Sequence, residues 1–198
     1  GKASTDRQAT LRGAIDWSWR MLTSEEAATL AQLALFRGGF TVEGAESVVD
    51  LARFPEAPEV LSVVLTLRSK SLVRSYFPPG GSGEMRYGLF ESIREYALEK
   101  LQGLPERLPA KARHTQFFNA LGGRLSAGAE GNAPLLDALE LERENLNAVF
   151  QRGLEEVDYN SQALSAVLAL DPLLALRGPF RLHLAMLDAG IAKLGPAE

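Results

Sequence analysis

The sequence predicts a mainly α fold in two parts. Three observations carry this: apolar residues recur at helical spacing over most of the chain, one stretch switches to two short extended segments around a glycine- and proline-rich turn, and helical spacing then resumes. Leu11, Ile15, Trp19 and Leu22 share one helical face, with Ala14 beside them, which predicts a helix from about Ala9 to Leu22. Thr23 followed three residues later by Glu26 is a capping box opening the next helix, whose inward residues are Ala27, Leu30, Ala31, Ala34 and Leu35. Gly38-Gly39 ends it. Thr41 caps a third, short helix with Ala45, Val48 and Val49 inward. Pro58 suits the first turn of a fourth helix, Pro58 to Ser71. Val60, Leu61, Val64, Leu65 and Leu67 nearly surround that helix, which predicts deep burial.

Leu72 to Phe77 and Met85 to Phe90 then read as two strands joined across Pro78-Pro79-Gly80-Gly81-Ser82-Gly83. A helix with Ile93, Ala97 and Leu101 on one face follows at once. Helices, hairpin and closing helix in this order make a winged-helix pattern, assigned to residues 1–103. The hairpin alone would be marginal and needs the helices to pack on. Leu104-Pro105-Glu106-Arg107-Leu108-Pro109 is the expected boundary and a candidate hinge. Residues 104–198 read as an α-helical bundle or the start of an α-solenoid. Ala110, His114, Phe117, Leu121 and Leu125 make one stripe, broken at Gly128 to Gly131. Leu135, Leu139, Leu146, Val149 and Phe150 make a second, and Ala163, Leu164, Val167 and Leu168 a third with a break or kink near Asp171-Pro172. Phe180, Leu184, Leu187, Ile191 and Leu194 close the chain.

Composition excludes several kinds of chemistry. The 198 residues are 46% hydrophobic and 23% charged, enough for one or two packed cores. There is no Cys, so no disulfide framework, thiolate metal site or cysteine nucleophile is available. Only two His are present, His114 and His183, so a histidine-rich metal site is excluded, and neither has a spaced second ligand. The net charge is −4, and neither part is basic enough to demand nucleic acid by charge alone. No apolar run of membrane-spanning length and no signal-peptide core occurs, so a cytoplasmic chain without membrane contact is expected. The two ends read as those of a segment excised from a longer protein. No P-loop and no Gly-x-Ser-x-Gly elbow occurs, and the glycine-rich turn joins two strands rather than opening a helix, so no catalytic residue and no metal ligand is assigned. Glu140, Glu142 and Glu144 read as a solvated flank, with Glu142, Asn145 and Asn147 as candidates for a polar anchor between helices.

A winged helix invites a DNA reading. The fourth helix and hairpin offer Arg68, Lys70, Arg74 and Arg86 for phosphate contact. Glu59 at the start of the helix and Glu84 near the turn oppose an anion there.

Several stretches carry a family likeness. Arg7-Gln8-Ala9-Thr10-Leu11-Arg12-Gly13-Ala14-Ile15-Asp16-Trp17-Ser18 resembles the segment that follows the nucleotide-binding core of bacterial STAND signal-transduction ATPases, including large LuxR-type and AfsR-like regulators. Leu35 to Thr41 and Lys70-Ser71-Leu72-Val73 are similar to the family's turns around its winged helix, and Leu89-Phe90-Glu91-Ser92-Ile93-Arg94-Glu95-Tyr96-Ala97 to its Leu-Leu-Glu-Thr-Ile-Arg-Glu-Tyr-Ala signature. Leu139 to Leu146 resembles the opening of its tetratricopeptide-like repeats. The likeness covers about Arg7 to Gly153. It implies a non-catalytic regulatory segment. An upstream domain would bind ATP or ADP with Mg, the winged helix would pack on that domain, and the repeats would bind an inducer or partner protein. The segment itself would hold no cofactor. In related apoptosome and plant resistance proteins a Met-His-Asp motif contacts the nucleotide; its His and Asp fall at Phe90 and Glu91 here. Phe90 cannot donate a hydrogen bond to phosphate, which leaves Phe90 to the return strand and Glu91 to the helix start. The alternative implied by the fold is a winged-helix DNA-binding transcription factor using residues 58–71 and 72–90.

Overall fold

Helical periodicity becomes α1 (Lys2–Arg20), α2 (Ser24–Leu33), α3 (Val42–Val48) and α4 (Val60–Ser69) in a computed structural model that describes residues 2–79 and 83–194, with side chains from residue 10. The expected turn residues Gly80, Gly81 and Ser82 lie outside the described residues. The strands are shorter than their sequence runs, β1 (Arg74–Tyr76) and β2 (Arg86–Gly88), and pair as a two-stranded sheet. Then follow α5 (Glu91–Leu101), α6 (Arg107–Ser126), α7 (Ala133–Glu155), α8 (Asn160–Arg177) and α9 (Phe180–Leu194). The fold is mainly α with one small hairpin.

The chain divides into two compact units. Unit 1 comprises residues 1–35, 40–75 and 87–111, and unit 2 comprises 36–39, 76–86 and 112–198. In unit 1 the capping box forms as the sequence predicts: the Glu26 amide donates to Thr23 Oγ1 at 3.4 Å and the Thr23 amide to Glu26 Oε2 at 2.9 Å. Thr41 Oγ1 accepts from the Gly44 amide to open α3. Leu30, Leu33, Phe40, Val48, Val64, Leu67 and Leu101 fill the core. Gln32, fully buried, closes its own polar account by bonding both the carbonyl and the amide of Asp50 just past α3, at 3.1 and 3.0 Å. Phe40 adds what periodicity did not show, a single-residue bridge to β2. Its amide and carbonyl exchange bonds of 2.8 Å with Tyr87, and the two rings stack at 6.0 Å. α2, Phe40, α3, α4 and the hairpin follow one another in winged-helix order.

Two expectations for unit 1 fail. α4 is not enclosed: Val63, Val64 and Leu67 are buried but Leu65 is 42% exposed, so its all-round apolar character is divided between core and surface. Phe90 is not a core residue of the return strand. β2 ends at Gly88, and Phe90 takes the N-cap position of α5, where its ring is 52% exposed. α6 starts at Arg107, which puts Pro109 in its first turn, where a missing N–H costs nothing.

In unit 2, α8 packs against both α7 and α9. Short turns join the three, so neighbours run antiparallel. Leu139, Leu146, Val149, Val167, Leu170 and Leu173 are buried between them. Gly122 of α6 lets helices approach closely, because a Cβ there would come within 2.9 Å of both Ala169 and Leu146. α8 runs through Pro172 without the expected break. The carbonyl that loses its partner belongs to Leu168, on the exposed side of the helix, where water can replace it.

Candidate functional site

The cations expected to face DNA are not one set. Arg68 is exposed on α4. Lys70, the C-cap of α4, holds the Glu26 carboxylate with Nζ at 2.7 and 2.6 Å from its two oxygens. Between α4 and β1 the chain turns through Ser71, whose φ of 61° is left-handed, as suits a sharp exit from a helix. Arg74 on β1 is exposed, and its guanidinium lies 5.6 Å from the centre of the Phe90 ring. Arg86 is placed differently from the expectation. It is 4% exposed and sits inside unit 2, so it is not available to a phosphate in this arrangement.

Arg86 instead heads a buried polar network. Its Nη1 and Nη2 donate to the two oxygens of Glu142 at 2.5 and 3.1 Å, and Nη2 also reaches the Gly39 carbonyl at 3.3 Å. Burial works against the Arg86 charge, but the Glu142 bonds and charge outweigh it and raise its pKa further. Asn145, fully buried, donates to the Gly39 carbonyl at 2.9 Å and to Glu142 at 3.0 Å, and its Oδ1 accepts from the Arg37 amide at 2.7 Å. Tyr76 Oη donates to the Gly38 carbonyl at 2.8 Å. Gly38 and Gly39 are both left-handed, φ 74° and 100°, and a Cβ on Gly38 would meet Glu144 at 3.1 Å. Of the three glutamates read as a solvated flank, Glu142 therefore belongs to the interior, and the anchor reading holds for Glu142 and Asn145. Asn147 lies instead on a groove of about 650 Å³ between α7 and α9, floored by Phe150, Leu154, Leu182 and Met186.

Beside this network lies His114, fully buried among Phe36 and Phe118, ring centres 5.3 and 4.7 Å away. Neither ring nitrogen meets a hydrogen-bond partner among the described residues. Burial holds its pKa well below the ordinary histidine value, and the Arg152 charge adds to the shift; the nearby Asn145 amide opposes it. Arg152 is itself buried, and burial lowers its pKa; its Nη1 donates to Thr115 Oγ1 at 2.5 Å. His183 is 7% exposed with Nε2 3.0 Å from Asp171 Oδ1. No cluster of side chains able to hold a metal occurs among the described residues, and no described helix is long and apolar enough to cross a membrane.

The residues at the nucleotide-sensing positions are ordinary in their surroundings. Phe90 carries the Arg74 guanidinium on its face, and Glu91, in the first turn of α5, accepts from Arg94 at 2.5 and 3.0 Å without capping the helix through its side chain. These bonds raise the Arg94 pKa against a lowering by burial.

No family model and no solved structure matches the chain. Among curated proteins it is 35% identical over 176 residues, 87% of its length, to proteins named "Putative HTH-type transcriptional regulator" from Mycobacterium bovis and from Mycobacterium tuberculosis. It is 32% identical over 124 residues, 63% of its length, to an uncharacterized protein of Mycobacterium bovis. The chain spans 19% of the length of the first relatives and 31% of the other. The similarity is thus to proteins named as transcriptional regulators.

Proposed function

We propose that this chain is a regulatory, non-catalytic segment of a transcription regulator, and that its winged-helix unit contacts duplex DNA. The observation that carries the reading is the order α2, Phe40, α3, α4, β1, β2, which sets α4 as the second helix of a helix-turn-helix and leads it straight into a hairpin. The names of the curated relatives support it. Contact would fall on phosphates, through Arg68 and Arg74, both exposed. Two phosphates neutralised give a logarithmic salt slope of about −2. Fluorescence anisotropy with a 30-base-pair duplex at rising salt tests this. A slope near that value, lost in the Arg68→Ala/Arg74→Ala double variant, supports the reading. No binding at low salt ends it.

One observation favours a second reading. Lys70 and Arg86, half of the expected cationic set, are engaged with Glu26 and Glu142. A winged helix that spends its cations internally suits protein packing, as the STAND resemblance implies. There the segment would couple the ATP or ADP state of an upstream domain to an inducer or partner at the helical repeats, in the cytoplasm. Each ligand would act only through its different affinity for two states. Co-purification of this chain with the nucleotide-binding region of its parent, stronger with one nucleotide than with the other, distinguishes this from DNA contact.

A further inference from the structure

α9 carries two apolar faces. His183, Met186 and Gly190 are buried in unit 2. The second face consists of Phe180, Leu184, Leu187, Ile191 and Leu194, spaced alternately four and three residues apart. That is the spacing of a heptad seam, the pattern by which one helix grips another. Phe180, Leu184, Ile191 and Leu194 are 63%, 61%, 56% and 52% exposed, and Leu187 is half-buried. A surface helix normally buries its apolar stripe, and most of this one is exposed among the described residues.

The charges beside the seam say what covers it. Arg181 and Asp188 directly follow Phe180 and Leu187, so they flank the seam on one side, seven residues apart and opposite in sign. Both are exposed. The equivalent positions on the other flank are His183 and Gly190, buried and without a surface charge to offer. A parallel partner would set the Arg181 flank against that blank flank. An antiparallel copy related by a two-fold axis sets it against itself. Leu184 then faces the partner's Leu187, Phe180 faces the partner's Ile191, and each Arg181 comes beside the partner's Asp188. We propose that α9 is a self-association surface and that two copies of this chain pair antiparallel through it.

The surface is short, about 22 Å of helix. A single pair of short helices is small beside the roughly 800 Å² per partner of a standard interface, so a weak, concentration-dependent dimer is expected rather than a permanent one. The helix is already folded by its inner face, so pairing need not supply the cost of ordering it.

Sedimentation velocity on the 198-residue chain, from about 1 to 200 µM, tests the proposal across the micromolar range of weak association. A monomer–dimer equilibrium is expected. Leu184→Glu weakens it at least about tenfold, while thermal melts by circular dichroism confirm that this exposed change leaves the fold intact. Arg181→Glu and Asp188→Arg each weaken it, and the two together restore it, which generic stickiness would not do. A chain that stays monomeric throughout overturns the proposal. So does a dimer indifferent to Leu184→Glu, a charge swap that restores nothing, or a seam that binds a synthetic Leu/Ile heptad peptide while the chain remains monomeric.

Discussion

The two units handle charge in opposite ways. Each of these ion pairs of unit 1 has at least one partner at the surface: Arg12 with Glu99 at 60% and 55% side-chain exposure, Arg53 at 54% with Glu106, and Lys70 at 36% with a buried Glu26. Its buried polar residues are Glu26, Thr29 and Gln32, and the last bonds only to backbone. Unit 2 buries Arg86, Glu142, Asn145, Arg152 and His114. A surface pair contributes little and can be lost cheaply. A buried pair is nearly neutral as a whole but costly to break, because the remaining charge has no water to return to. Unit 1 therefore tolerates the loss of an exposed ion pair such as Arg12 with Glu99, and unit 2 depends on every partner in its network.

Breaking the buried pair gives the largest effect. Glu142→Ala strands the Arg86 guanidinium and should destabilise unit 2 by about 3–5 kcal/mol, read as a fall in the denaturant midpoint. Arg86→Met with Glu142→Leu should recover most of that loss, which sharpens the contrast between a pair's net worth and the cost of half a pair. His114 comes next. Its folded form stays neutral, whereas the unfolded histidine takes up a proton as pH falls through about 6.5. The unfolded state then binds more protons, so the contribution of His114 is intact above that pH and is lost below it, by at most about 1.4 kcal/mol per pH unit. Urea melts at pH 7 and pH 5 should diverge in the native chain and converge in His114→Leu. In unit 1, Thr23→Ala removes one half of the capping box and should cost about 1 kcal/mol, measured by thermal melt. Arg177→Ala, which opens a surface pair with Asp137 at 41% and 42% exposure, should change stability by less than about 0.5 kcal/mol. A larger value would show that unit 2 is sensitive at its surface as well as inside.

What was legible in the sequence was local. The Thr23–Glu26 box, the Thr41 cap and the order of helices and hairpin all rest on residues within a few positions of each other, and the structure repeats them, whereas α2 ends at Leu33, ahead of the predicted stop at Gly38-Gly39. The Phe40 bridge was not, since a single bridged residue has no period. The same distance limit hid the pair of Arg86 with Glu142, 56 residues apart. One faint signal existed: Glu142 and Asn145 fall between Leu139, Leu146 and Val149 on the inward stripe of a long helix, where a solvated residue does not belong. Phe90 misled for a related reason. Apolar character predicts burial on average, but a residue at the hinge between strand and helix points where the backbone sends it.

The assignment of residues 36–39 and 76–86 to unit 2 has a practical consequence for anyone dissecting this chain. The polypeptide passes between the units repeatedly, so no single cut releases both whole. A fragment beginning at Ala112 keeps Glu142 and Asn145 but discards Arg86, Gly39 and the Arg37 amide that satisfy them. Such a piece would carry an uncompensated carboxylate in its interior and should express poorly. A soluble version of unit 2 would require either the preceding residues from Phe36 onward or apolar replacements at positions 142 and 145.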